Sequence, residues 1–272
     1  KDLAGNVATV NVKISNIDNT LPVAKVAYST SEATNKDVLV TINTNKPVQT
    51  IEGWTLSENK LTLTKTYTNN TQTEGENVII KDLVGNSTTV NVKVTNIDKV
   101  APTTNVTYSI TELTNQNVVV AIKANEKIQT VEGWTLSEDK LTLTKTYTEN
   151  TSAEGENIVI KDLVGNSTTV NVKVTNIDKV APTTNVVKSI TELTNQNVVV
   201  VIKASERIQK VDGWNLLEDN LTLTKTYREN TSTEGENVVI KDFAGNSTTV
   251  NVKITNIDRI APVANVVKSI TE

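Results

Sequence analysis

The chain has 272 residues and a net charge of −4, with 27 Lys and Arg and 31 Asp and Glu interspersed along it, so no basic face is available to follow a phosphate backbone and no nucleic-acid partner is expected. It contains no Cys, no His and no Met, which removes thiol–imidazole nucleophiles, thiolate or imidazole zinc sites and any disulfide framework, and with them most catalytic chemistry. No stretch approaches the roughly 20 apolar residues of a membrane span, and no charged-then-apolar leader is visible, so the chain reads as soluble and without membrane insertion.

The hexapeptide Lys1-Asp2-Leu3-Ala4-Gly5-Asn6 returns in kind at Lys81, Lys161 and Lys241, a period of 80 residues without insertion. A second marker, Pro22, Pro102, Pro182 and Pro262, keeps the same spacing, each just after Asn-Ile-Asp. Proline fixes its own φ and stiffens the residue before it, so these points read as short interdomain junctions. Cutting there gives the end of a preceding repeat at 1–20, complete repeats at 21–100, 101–180 and 181–260, and the start of a following one at 261–272.

Within 101–180 the expected strands, in chain order, are 105–109, 117–123, 127–131, a short one at 134–137, 141–147, 157–161 and 168–174. Their alternation of apolar and polar residues has period two. Glu132-Gly133, Glu154-Gly155 and Val164-Gly165-Asn166 supply turns that tolerate positive φ. About seven short strands in such a length predict an all-β chain of tandem sandwiches. Leu141, Leu143, Val170, Val172 and the Trp134 ring are the expected core of the middle repeat.

The series strand, Asp-x-x-Gly-Asn turn, strand, Asn-Ile-Asp, Ala-Pro, with Gly-Trp-Thr-Leu-Ser and Leu-Thr-Leu-Thr-Lys-Thr-Tyr upstream, resembles the bacterial immunoglobulin-like repeats of large surface proteins and adhesins. The resemblance covers the whole chain. It implies immunoglobulin-like β-sandwiches of about seven strands each, an extracellular place on a bacterial cell surface, cell-wall attachment, and neighbouring repeats as partners. It also implies calcium near domain junctions, and the matching carboxylates are Asp82 with Asp98, Asp162 with Asp178, and Asp242 with Asp258, besides the partial Asp2 with Asp18. Calcium wants six to eight oxygens, so two carboxylates make half a site. The plain alternative is a turn, its Asp capping backbone amides. A straight final strand puts turn and linker at opposite ends of one domain, which favours a junction in which Asp98 meets the Asp162 turn of the next repeat.

Trp54, Trp134 and Trp214 read as core or corner residues, with a sugar-stacking platform as the alternative. Lys65, Lys145 and Lys225 share the phase of their strand's leucines, which aims them inward. The resemblance raises a Lys–Asn isopeptide bond there; the residues favour an uncross-linked Lys whose stem packs while its head reaches water.

The expected function is a non-catalytic stalk that holds a terminal domain away from the cell envelope. The alternatives are an adhesive module binding host or cell-surface glycan or protein by avidity, and a subunit of a surface fibre or layer.

Overall fold

A computed structural model describes residues 1–267; the last five residues of the piece expected to open a following repeat lie outside them. The described residues are all-β, with 18 strands and no helix. The chain divides into two compact units, residues 1–102 with 161–168, and residues 103–160 with 169–267.

The first complete repeat contributes β1 (Ala24–Tyr28), β2 (Val38–Thr44), β3 (Thr55–Leu56), β4 (Thr62–Tyr67), β5 (Glu76–Lys81) and β6 (Ser87–Val92). The second contributes β7 (Thr104–Tyr108), β8 (Val118–Ala124), β9 (Thr135–Leu136), β10 (Thr142–Tyr147), β11 (Glu156–Lys161) and β12 (Ser167–Val172). The third contributes β13 (Thr184–Lys188), β14 (Val198–Ala204), β15 (Asn215–Leu216), β16 (Thr222–Tyr227), β17 (Glu236–Lys241) and β18 (Ser247–Val252). Each set forms a four-stranded sheet, ordered β1-β2-β4-β3 in the first, and a two-stranded sheet, β5-β6. The ladders are antiparallel.

The two sheets share one core, as a sandwich requires. Val38, Val40 and Ile42 of β2 and Leu63 and Tyr67 of β4 pack with Val78 and Ile80 of β5 and Val92 of β6. Alternation decides which side chains take part: along β2 the buried residues are every second one, with exposed or half-buried neighbours between them. Each fully buried Ile or Leu contributes about 1.5–3 kcal/mol relative to exposure. In the second repeat Leu143, Val172 and Trp134 join the core, while Leu141 is half-buried and Val170 packs against the cluster from its edge.

The expected strand at 127–131 is not a strand. Only Ile128 forms a bridge there, and the first and third repeats show why. Val48 donates its amide to the Lys60 carbonyl at 2.9 Å, next to β4, while Gln49 donates to Lys81 at the end of β5 at 2.8 Å. Ile208 and Gln209 repeat this with Asn220 and Lys241. Consecutive residues thus bond to opposite sheets, so the segment crosses from one to the other without running along either. Six strands per repeat result, with single bridges, Val48 to Asp82 and Ile208 to Asp242, where the seventh was expected.

Glycine is required at Gly155, which has φ +79 and whose absent Cβ would lie 2.8 Å from the Val172 carbonyl oxygen.

Candidate functional site

Two constellations recur in the repeats. The first is built on the inward face of the strand carrying Leu-Thr-Lys-Thr-Tyr. Leu63, Lys65 and Tyr67 stand opposite Ile42, Val40 and Val38 of β2, so the Lys lies between two buried neighbours. Its ammonium is held by Glu76, at 2.9 and 2.8 Å from the two carboxylate oxygens, and the Tyr67 hydroxyl donates to the same carboxylate at 2.7 Å. Lys145, Tyr147 and Glu156, and Lys225, Tyr227 and Glu236, reproduce the set. The ammonium of Lys145 lies 4.9 Å from the Tyr147 ring centre and 5.8 Å from that of Trp134.

The carboxylate of Glu156 is held below its ordinary range, first by Lys145 and then by Tyr147, against the smaller opposing effect of burial. The Tyr147 phenol is pushed up by burial and by the adjacent Glu156 carboxylate. The charges are thus matched inside the domain, and the set serves as a polar plug at the rim of an apolar core. A hollow of about 600 Å³ opens beside it in the third repeat, bounded by Tyr227, Arg228, Asn230 and Gly235. Trp54, Trp134 and Trp214 are buried, at 8%, 8% and 5% exposure, so none is a surface platform for a sugar ring.

The second constellation is the Asp-x-x-Gly-Asn turn. Asp82 accepts the amides of Val84 and Asn86 at 3.1 and 2.9 Å, and the Asn86 side chain closes on the other carboxylate oxygen at 2.9 Å. Gly85, with φ +101, completes the reversal. Burial opposes the charge of Asp82, but the hydrogen bonds from Asn86 and Lys46 and the backbone amides outweigh it, and its pKa lies below the ordinary value. The turn therefore forms as the sequence alone suggests.

The Asn side chain also reaches outside its own repeat. Asn86 Nδ2 donates to the Asp18 carbonyl at 3.0 Å, Asn166 Nδ2 to the Asp98 carbonyl at 3.0 Å, and Asn246 Nδ2 to the Asp178 carbonyl at 2.9 Å. Each turn is thereby latched to the linker of the preceding repeat. The linker Asp is held in its own repeat: Asp98 donates its amide to the Thr34 carbonyl at 2.8 Å and caps Val100 at 3.1 Å, and Asp178 and Asp258 do the same at Thr114 and Thr194.

The six carboxylates singled out in the sequence therefore assort across junctions. Asp162 is joined to Asp98 through Asn166. Asp242 lies with Asp178, not with Asp258 of its own repeat, and Asp82 lies with Asp18, not with Asp98.

The sequence reading missed the third member of this place. Asp178, Glu206 and Asp242 each offer a carboxylate oxygen, all within 4.8 Å of one another, with Asp242 buried and the other two half-buried. Glu206 is pushed above its ordinary pKa by burial and by the charges of Asp178 and Asp242. Oxygen donors in such number suit a hard cation, with Glu206 adding to the two Asp side chains. In the first repeat Lys46 stands where Glu206 does. The signal that could have found Glu206 is this one reversal of charge in register. No protein-family model matches the chain, and no curated protein matches it.

Proposed function

We propose that this chain is a length of non-catalytic stalk from a bacterial surface protein, built of immunoglobulin-like repeats that project a terminal functional domain from the cell envelope. The observation that supports this reading most directly is the latch that recurs at 80-residue intervals, Asn86 on Asp18, Asn166 on Asp98 and Asn246 on Asp178. A side chain that closes its own turn and also grips the previous linker ties that linker down close to the turn, which suits a spacer better than a freely tethered binding domain. The linkers add to this: Pro22, Pro102 and Pro182 are buried, and so short a connection with a fixed φ is unlike a flexible Gly/Ser tether. Burial of the Trp rings weighs against the adhesive alternative, since it takes away the aromatic face that such a reading would use.

Small-angle X-ray scattering of the whole chain tests the proposal. An elongated distance distribution is expected, in which each complete repeat adds roughly 35–45 Å. A compact distribution, with the repeats folded back on one another, would overturn it.

A further inference from the structure

The short third strand of each four-stranded sheet leaves part of its neighbour without a partner on one side. β9 pairs only with Leu143 and Thr144 of β10, and β15 only with Leu223 and Thr224 of β16. Lys145, Thr146 and Tyr147 therefore have β8 on one side and no strand on the other. Along an antiparallel strand the backbone groups of successive residues point to opposite sides. The Ala124 amide donates to the Leu141 carbonyl at 2.8 Å, and the Ser137 amide to the Thr142 carbonyl at 2.9 Å. This sets the phase: Leu141, Leu143, Lys145 and Tyr147 bond towards β8, and Thr142, Thr144 and Thr146 face the side of β9. Because β9 does not extend to Thr146, the amide and carbonyl of that residue meet no strand there. Thr226 stands in the same position on β16.

A hollow opens at this edge. In the second repeat it encloses about 440 Å³ beside Thr146, Tyr147, Thr148, Glu149, Ser152 and Gly155, and the hollow of the third repeat is bounded by the same repeat positions. Its wall is fixed by the repeat itself. Asn150 accepts the Ile177 amide and donates to the Ile177 carbonyl, each at 2.8 Å, and the Thr151 amide donates to the Val174 carbonyl at 2.9 Å. The hollow is therefore preformed, and a ligand has little to order on entering it.

Charge separates the repeats. The Lys145 ammonium and the Glu156 carboxylate offset each other at 2.8 Å, and the Tyr147 hydroxyl donates to that same carboxylate. Glu149 is exposed, and among the described residues it forms no ion pair. Glu229 repeats it in the third repeat, but there Arg228 replaces Thr148 beside it, and in the first repeat Thr68 and Asn69 carry neither charge. The second hollow alone thus combines a free backbone donor and acceptor with an uncompensated carboxylate.

We propose that the second repeat docks an extended, basic segment of a partner protein, whose backbone adds to β10 at Thr146 while a Lys or Arg side chain lies against Glu149. An unpaired sheet edge takes up extended backbone through the hydrogen bonds that a neighbouring strand would make. The carboxylate then selects a cationic side chain and disfavours an acidic one. Arg228 offsets Glu229 in the third repeat, and the first has no acid at this place, so neither offers the same match. The dock adds a partner to the stalk and does not depend on that reading.

The probe is a fluorescein-labelled, amidated octapeptide of alternating Val and Lys, titrated into the whole 272-residue chain and followed by anisotropy. The controls are an octapeptide of alternating Val and Glu and a fully N-methylated form of the basic one, which cannot donate a backbone hydrogen bond. One basic peptide is expected to bind per chain, about tenfold or more tighter than either control. Glu149→Gln and Thr148→Arg should each weaken it by about threefold or more, with an unchanged melting temperature because both residues are exposed. Arg228→Thr should raise the stoichiometry from one to two. Equal binding of the N-methylated peptide would overturn strand addition, and equal binding of the acidic peptide would overturn the selection by Glu149. Absence of binding by the basic peptide, or binding that none of the three exchanges alters, overturns the dock and leaves the stalk to the scattering measurement. Dimers of the chain alone that the basic peptide dissolves would overturn an outside partner in favour of a second copy.

Discussion

Residues 2–18 and 82–98 carry nearly the same sequence, from the Asp-x-x-Gly-Asn turn to Asn-Ile-Asp, and they fold to different extents. The turn forms in both: Asn6 donates its amide to Asp2 at 2.8 Å as Asn86 does to Asp82 at 2.9 Å, with Gly5 at φ 88 and Gly85 at φ 101. The strand does not. Ser87–Val92 pairs with β5 and buries Val92 completely, whereas Val10 and Val12 are 80% and 76% exposed and no strand is formed. The turn is closed by bonds between residues at most four apart, so it needs no neighbour. A strand's hydrogen bonds belong to its partner, and an unpartnered one gains neither ladder nor core.

The sharpest break in this comparison is Ile97→Ala against Ile17→Ala. Both residues lie in Asn-Ile-Asp, but Ile97 is 8% exposed and Ile17 70%. Removing Ile97 should cost about 2–5 kcal/mol in the repeat that contains it, and removing Ile17 less than about 0.5 kcal/mol. Urea unfolding of the two variants reads the difference, and equal losses would mean that residues 1–20 are part of a packed core.

A smaller contrast is expected for Asn86→Ala against Asn6→Ala. Asn86 loses its bonds to the Asp82 carboxylate and the Asp18 carbonyl, which together should lower stability by about 1–2 kcal/mol. Asn6→Ala removes a 2.8 Å bond to an exposed Asp2 and should leave the melting temperature unchanged. A neutral Asn86→Ala would show that the latch adds nothing.

The smallest effect is on acid stability. The pKa of Asp82 is lowered in the fold from an ordinary 3.8. Its contribution is therefore present above about pH 3.8 and lost as the pH falls through the lower, folded-state value. Asp2 is lowered too, by Asn6, but this turn is local and survives without the domain. Asp82→Asn should flatten the decline of stability below pH 4, and Asp2→Asn should not. The slope of unfolding free energy against pH measures both.

The strands were legible because buried residues recur at every second position, and Leu143, Val172 and Trp134 lie where that alternation puts them. Segment 127–131 alternates as well, but period two records which side chains point inward. It does not record whether the backbone amides serve one sheet or two, and here successive amides serve both. The Asp turns were legible for the reason they persist outside a domain. Glu206 was marked only by its reversal of charge in register with Lys46, which does not say what it meets; the fold brings it to Asp178 and Asp242. The partner of the inward Lys was equally hidden: Glu156 lies on the next long strand, brought to Lys145 by the facing of two sheets.

The parallel bridge between Thr34 and Ile97 bears on how such a domain would respond to force. Thr34 donates to the Asn96 carbonyl and Asp98 donates to Thr34, each at 2.8 Å, and Asn70 grips both the amide and the carbonyl of Ile97 at 2.8 Å. Tension drawn through the linkers enters at Pro22 and leaves past Asp98. Two parallel segments pulled from opposite ends slide along each other, so these bonds are loaded together in shear and cannot peel one at a time. Forced unfolding is governed by the unfolding rate, and a clamp of this kind raises its barrier without enlarging the core.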